Sequence, residues 1–196
     1  MTVNYKDVVS SDLLKSHNVK EEFYDLTVNE RKEICMDKSF PYAVGIINVT
    51  GELNTGSIIR SANLLGAKKV FIFGRKNIDR RGAVGAYNYV DIEYINCMKN
   101  ELEVDFQVVN STLVEQGLTP VVFEHGGQKL STYVWDINYP CILVGNEGRG
   151  MSNNEIQQLT NVIQLEIPQV GVMRSFNVSN AATLGMYDFC TKKGYL

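Results

Sequence analysis

The stretch YAVGIINVTGELNTGSIIRSANLLGAKKVFIF, Tyr42 to Phe73, sets two apolar runs on either side of a helical pattern. Tyr42 to Val49 is short and almost continuously apolar, as expected of a strand buried on both faces. Asn54 to Gly66 reads as a helix. Ile58, Ala62 and Leu65 share one face, and Gly66 supplies a C-terminal stop. Lys69 to Phe73 is the next strand. The same alternation continues downstream. Val90 to Tyr94 is a weaker strand, and Asp105 to Gln116 is a helix with Phe106, Val109 and Leu113 at helical spacing. Pro120 to Phe123 and Cys141 to Val144 are strands. Ser152 and Glu155 form a capping box for a helix through Leu159. Val162 to Ile167 is the last strand, and a closing helix starts near Asn177. Val/Ile-rich strands without polar alternation predict an α/β fold, a mostly parallel sheet with helices on both faces.

Residues 1–40 differ. They are polar and charged, with short amphipathic helices expected over Ser11 to Ser16 and Val28 to Met36, the second capped by Asn29. The chain therefore divides into an N-terminal helical extension, 1–40, and an α/β domain, 41–196. No apolar run reaches the roughly 18–20 residues of a membrane span, and the N-terminus lacks the apolar region of a signal peptide. Cys35, Cys97, Cys141 and Cys190 lie far apart without a CxxC pair. Reduced thiols in a cytoplasmic protein are expected, and no metal site.

The net charge of −3 hides an asymmetry. Lys68, Lys69, Arg75, Lys76, Arg80 and Arg81 are opposed in their segment only by Asp79, so that segment carries +5 and the rest −8. Such a patch is either a phosphate-binding surface or a solvated loop.

In parallel sheets ligands sit beyond the carboxyl ends of the strands. Four loops lie there: Thr50 to Thr55, Gly74 to Ala86, Gly145 to Ser152 and Pro168 to Asn177. In the first, Asn54 can cap a helix whose uncrowded amides at Thr55, Gly56 and Ser57 suit an anion, with Arg60 further along. A plain capped helix with a surface arginine is the alternative. The second, GNEGRG, has three glycines in six residues and a carboxylate, Glu147. It is neither GxGxxG nor a P-loop, and reads as a cofactor loop or a tight turn. In the third, Arg174, Ser175, Asn177, Ser179 and Asn180 crowd one helix entrance, where Ser175 or Asn177 can cap but not both. His125, before Gly126-Gly127, reads as a turn residue, and Trp135 as a packing residue.

Together these loops resemble a known family. NTGSIIRSANLLGAKKVFIFG is similar to the first motif of the SpoU/TrmH family of SPOUT RNA methyltransferases, CILVGNEGRGMSNNEI to the second, and IPQVGVMRSFNVSNAA to the third. They occur in the family's order, and the resemblance covers Tyr42 to Lys193. RGAVGA, Arg81 to Ala86, matches a segment between the first two motifs. Gln169 and Phe176 depart from the usual Met and Leu and would alter the lining of the adenine pocket.

The resemblance implies a C-terminal trefoil knot, bound S-adenosylmethionine, a homodimer, and methyl transfer to a ribose 2′-hydroxyl of tRNA or rRNA, with tRNA slightly favoured. It assigns Arg60, Asn54, Glu147, Ser175 and Asn177 to catalysis. By position, Val144, Gly145, Asn146, Gly148, Ile167, Pro168, Ser175, Phe176 and Asn177 would hold the cofactor. Lys68, Lys69, Arg75, Lys76, Arg80 and Arg81 would track RNA phosphates. Ala181, Ala182 and Gly185 would let the last helix pack closely at the dimer seam. The alternatives are an inactive RNA-binding scaffold of the same fold, and a Rossmann oxidoreductase, which the missing GxGxxG disfavours.

Overall fold

The computed structural model describes residues 18–76 and 79–196; the helix expected over Ser11 to Ser16 lies outside them. The first helix, α1 (Val28–Asp37), starts at the expected residue and runs one residue further, but its cap differs. Thr27, not Asn29, is its cap. The Thr27 side chain accepts from the Glu30 amide, and the Glu30 carboxylate reaches back to the Thr27 amide. The T-x-x-E spacing closes both bonds, which Asn29 inside the first turn cannot do. Arg31 donates to the carbonyls of Phe23 and Tyr24 and to the Tyr89 hydroxyl, tying this segment to the rest of the chain.

Six strands follow: β1 (Phe40–Ile47), β2 (Ala67–Phe73), β3 (Asp91–Ile95), β4 (Thr119–Lys129), β5 (Pro140–Val144) and β6 (Ile163–Glu166). They pair in the order β3-β2-β1-β5-β4-β6, every ladder parallel. The connecting helices are α2 (Glu52–Leu64), the short α3 (Arg80–Ala83), α4 (Phe106–Glu115), the short α5 (Asn153–Ile156) and α6 (Val178–Lys192). The Ser152 capping box forms as expected, but its helix stops at Ile156 rather than Leu159.

β1 shows why the apolar run carries no polar alternation. Its side chains point alternately to two cores. Tyr42, Val44 and Ile46 pack with Ile58, Ile59 and Ala62 of α2 and with Ala182, Met186 and Phe189 of α6. Ala43 and Ile47 face the other way, onto Phe71, Phe73 and the Phe106, Val109 and Leu113 face of α4. Both layers are buried, so both faces of the strand must be apolar.

Of the small residues of α6, Ala182 and Gly185 pack inward, while Ala181 is half-buried and lines a cleft. Ala182 is fully buried, and a Cβ added at Gly185 would stand 2.3 Å from the Phe123 ring. The outward face carries Leu184 and Tyr187 instead. Close approach also explains Gly56. Its Cα lies against α3, where an added Cβ would meet the Asp79 carbonyl oxygen at 2.6 Å and the Ala83 nitrogen at 2.7 Å. Those neighbours are backbone and cannot rotate away. Gly56→Ala should therefore lower stability by about 1–3 kcal/mol in urea unfolding, despite roughly 1 kcal/mol gained in helix propensity. Gly171→Ala, where an added Cβ meets open space, should change it by less than about 0.5 kcal/mol.

Candidate active site

The strand order brings the ends of β1 and β5 side by side, with later strands leaving in both directions. A crevice opens at such a reversal. The loop after β1 and the glycine loop after β5 meet there through one side chain. Oε1 of Glu147 accepts from the Gly51 amide at 2.8 Å and from Nδ2 of Asn54 at 2.9 Å. Oε2 accepts from the amide and hydroxyl of Thr50 at 3.0 and 3.1 Å. Asn54 is thus not the cap of α2. Gly51 holds that position, without a side-chain bond, and Asn54 sits in the first turn. The anion expected on the amides of Thr55, Gly56 and Ser57 does not sit there: α2 begins at Glu52 and the Thr55 amide bonds the Gly51 carbonyl, while the protein's own Glu147 carboxylate takes the donors just before the helix and the Asn54 side chain, near the positive end of the helix dipole. Burial works to raise the Glu147 pKa. The bonds from Asn54 and from the Thr50 and Gly51 amides outweigh it and draw the carboxyl down to about 2.

The chain of bonds continues. Oδ1 of Asn54 accepts from Nδ2 of Asn177 at 3.1 Å, and Oδ1 of Asn177 accepts from the Ser179 amide and hydroxyl at 2.9 and 2.6 Å. Asn177 is therefore the cap of α6. Ser175 is exposed and has no hydrogen-bond partner among the described residues. Residues from the three separate sequence motifs thus form one relay: Glu147, Asn54, Asn177, Ser179.

Beside the relay lies a cleft of about 340 Å³. Of the residues expected around a cofactor, Val144, Gly145, Asn146, Ile167, Ser175 and Phe176 line it, as do Glu147 and Gln169. Gly148, Pro168 and Asn177 fall outside its lining, and so do Asn54 and Arg60. The loop after β6 is pinned across the cleft by Arg174, whose guanidinium donates to the Gly148 carbonyl at 2.8 Å.

The sequence reading missed Glu124 and His125. They belong to the stretch where the β4–β6 register shifts, between Phe123 and Gln128. His125 is no idle turn residue. Its Nδ1 lies 3.3 Å from Glu166 Oε1 and its Nε2 3.2 Å from the Arg174 carbonyl. The Glu166 contact first, and the carbonyl second, raise the imidazole's pKa. The signal in the sequence was Gly126-Gly127 inside an apolar strand, which marks a bulge.

The basic residues are divided. Lys68 and Lys69 stand at the start of β2, and Arg75 and Lys76 just past its end, about 20 Å away by strand rise. Lys69 pairs with Glu93 at 2.7 Å and Asp91 at 3.6 Å, and Arg81 with Asp79 at 2.6 Å. Arg75 donates to the Glu101 carbonyl. The side chain of Arg80 lies outside the described part. Arg75 shares a second groove with Lys99 and Arg149, neither of which the sequence reading had chosen. Arg60 is exposed on α2, six residues or about 9 Å of helix beyond Asn54, and has no partner among the described residues.

Because the folded Glu147 carboxyl is held below its ordinary value of 4.5, its stabilising effect is complete above that value and is lost as the pH falls towards 2. Wild type should exceed Glu147→Gln by about 1 kcal/mol in urea unfolding at neutral pH, the side chain being partly exposed. That margin should shrink on acidification from pH 4.5 to 2. A margin unchanged down to pH 2 would mean that the ionised form is not what binds the loops.

Comparison with known proteins follows the same segments. The model of the SpoU rRNA Methylase family matches residues 41–187. A putative TrmH family tRNA/rRNA methyltransferase of Staphylococcus saprophyticus is 28% identical over 149 residues, 73% of this chain and 55% of that protein. The chain thus spans about half the length of that relative. Among solved structures, the TrmH/SpoU tRNA modifying enzyme of A. aeolicus superposes with a TM-score of 0.69 at 20% identity, over 87% of this chain and 86% of that one. The SpoU methyltransferase AviRb of Streptomyces viridochromogenes, in complex with AdoMet, superposes with a TM-score of 0.63 at 22% identity, over 81% and 62%. The likeness to these two is one of fold. The matched segment runs from β1 through most of α6, so it holds the relay and the cleft alike, and on that match the chain belongs to the SpoU rRNA Methylase family.

Proposed function

We propose that this protein transfers a methyl group from S-adenosylmethionine to a ribose 2′-hydroxyl of tRNA or rRNA, with tRNA slightly favoured, as a homodimer whose C-terminal segment is tied in a trefoil knot. The observation that carries the reading is the relay from Glu147 through Asn54 to Asn177 beside a cleft. It ties together the three segments on which such a site would depend. The cleft's chemistry fits the cofactor. Val144, Ile167, Phe176 and Val178 offer apolar walls, and Glu124 offers an acceptor for a ligand with cationic and hydroxyl groups. AviRb has been crystallised with AdoMet in the same fold.

When bound, the cofactor supplies a methyl group already activated towards nucleophiles. The protein's task is the ribose hydroxyl, a very weak acid that must be aimed and stabilised as it loses its proton. Glu147 is a poor proton acceptor, since its pKa is about 2 and all four of its bonds are to donors. It fixes the loops. Asn177, held at both ends of its amide, is a rigid positioning group. The Ser175 hydroxyl, without a hydrogen-bond partner among the described residues, can bond the incoming ribose or the cofactor. The Arg60 guanidinium offers donors and no acceptor, so its role is to bind the adjacent phosphate and stabilise the developing alkoxide.

The RNA path is drawn along the carboxyl end of the sheet, over Arg75 and Lys76, and extends to Lys99 and Arg149 of the second groove. Lys69 is engaged by two carboxylates, as Lys99 is by Asp105 and Arg149 by both oxygens of Glu155, so Arg75 and Lys76, without a carboxylate partner among the described residues, carry most of the path.

Ser175→Ala should leave urea unfolding unchanged and cut methyl incorporation from labelled cofactor into RNA by about 100-fold or more. Arg60→Lys should fail to restore what Arg60→Ala loses, since a point charge does not replace the planar fork. Normal turnover in Ser175→Ala would refute the assignment, and cofactor binding with no transfer to any RNA would favour the inactive scaffold. In a filter-binding series at rising salt, neutralising Arg75 and Lys76 together should reduce the log–log slope by roughly 1.5, and neutralising Lys68 and Lys69 should leave it unchanged.

A further inference from the structure

Among the described residues, three carboxylates line the cleft: Glu124, Glu147 and Glu166. Two are fully engaged. Glu147 accepts two hydrogen bonds on each oxygen. Glu166 meets His125 with Oε1 and accepts from the Gly126 amide, 3.2 Å away, with Oε2. Glu124 is different. Its Oε1 accepts from the Met151 amide at 3.1 Å, and its Oε2 has no hydrogen-bond partner among the described residues. One oxygen anchors the side chain to the glycine loop, and the other is left for a ligand.

The backbone is shaped to put it there. β4 follows β6 in regular register up to Phe123 with Leu165, then shifts, and resumes at Gln128. Gly126 has a φ of 81°, and an added Cβ at Gly127 would stand 2.7 Å from the Gln164 carbonyl oxygen, so the bulge depends on both glycines. Glu124 is displaced from the ladder onto the cleft, and Gly150 lets it come close: an added Cβ there would stand 2.8 Å from Oε1.

Strand order then decides which part of a cofactor Glu124 meets. Thr50 and Asn54 stand beyond β1, joined there by Glu147 from the loop after β5, and Glu124 stands in β4 where its register with β6 shifts, with β5 between β1 and β4. Two strand spacings separate the two positions, about 10 Å. A cofactor whose methyl lies at the relay has its nucleoside at the β4 side. There a carboxylate oxygen meets neutral hydroxyl donors rather than the sulfonium.

We infer that Glu124 is a cofactor-binding residue, its free Oε2 accepting a hydrogen bond from a ribose hydroxyl of the cofactor's nucleoside. The inference rests on the proposed use of S-adenosylmethionine. It has a consequence that sets it apart from charge pairing: the methylated cofactor and its demethylated product gain equally, because both carry the same ribose.

The test is calorimetric titration of the full chain and its Glu124→Gln variant. Glutamine keeps an oxygen for the Met151 amide and replaces the free acceptor by a donor. Its melting temperature, compared with that of wild type, reports whether the fold is kept. The expected result is that S-adenosylmethionine and S-adenosylhomocysteine each bind about tenfold more weakly to the variant. The analogue of S-adenosylhomocysteine lacking both ribose hydroxyls should bind the two proteins alike. Unchanged affinity for the two natural ligands would overturn the inference. So would a loss confined to S-adenosylmethionine, which would assign Glu124 to the sulfonium, or an equal loss for the deoxy analogue. If wild type binds neither natural ligand, the proposed cofactor falls and this inference with it. If wild type binds both and the variant matches it, only the inference falls.

Discussion

The Glu147 carboxylate holds the site together. Among the described residues it is the only contact that joins the loop after β1, the first turn of α2 and the glycine loop after β5 through a single side chain. Its four donors come from residues 93 to 97 positions away in sequence. Each bond is charge-assisted, and each answers a group that the end of a strand or the start of a helix would otherwise leave open. Asn54, locked by this carboxylate, can in turn orient only one partner, Asn177, which caps α6. The entrance of the last helix is thereby set by a residue on the second loop.

The sheet makes that contact possible. β1 lies between β2 and β5, so the first and second loops emerge as neighbours although β5 comes about 100 residues later in the chain. Glycines allow the layers to close to the required distance. Gly45 faces the Leu143 side chain of β5, Gly56 lies on the backbone of α3, and Gly185 lies over the Phe123 ring. None of these serves a ligand directly. They bring helix and strand ends near enough for short polar side chains to reach across.

Much of the site was legible in the sequence because its residues are punctuation. Glycine clusters, a capping residue and a carboxylate after an apolar strand identify loops wherever they stand. The surplus of polar residues at the α6 entrance resolves in the same way: Asn177 caps, Ser179 answers it, and Ser175 is left facing solvent beside the cleft. Reading each residue by its neighbours also had costs. Asn54 looked like a cap because it precedes a helical pattern, yet the cap is Gly51. Asn29 looked like a cap because it precedes Glu30, yet the reciprocal box needs Thr27. Lys68 and Arg75 looked like one patch because they are close in sequence, and an extended strand holds them at opposite ends.

The sequence by itself determined the class of fold. Doubly apolar strands must be covered on both faces, and strands alternating with helices pair in parallel. It also determined which loops could carry chemistry, through their glycines and polar residues. Tertiary structure alone decided the strand order and, through it, which loops meet. It decided that Glu147 serves the α2 entrance rather than standing free, and that Glu124 and His125 leave the β4–β6 ladder to face the cleft. The physical reason is range. Helix periodicity, capping and turns depend on residues within about four positions of each other, and these local forces are written in the order of the chain. The hydrogen bonds that build the site join residues tens of positions apart, and they exist only once burial of the two cores has fixed the sheet.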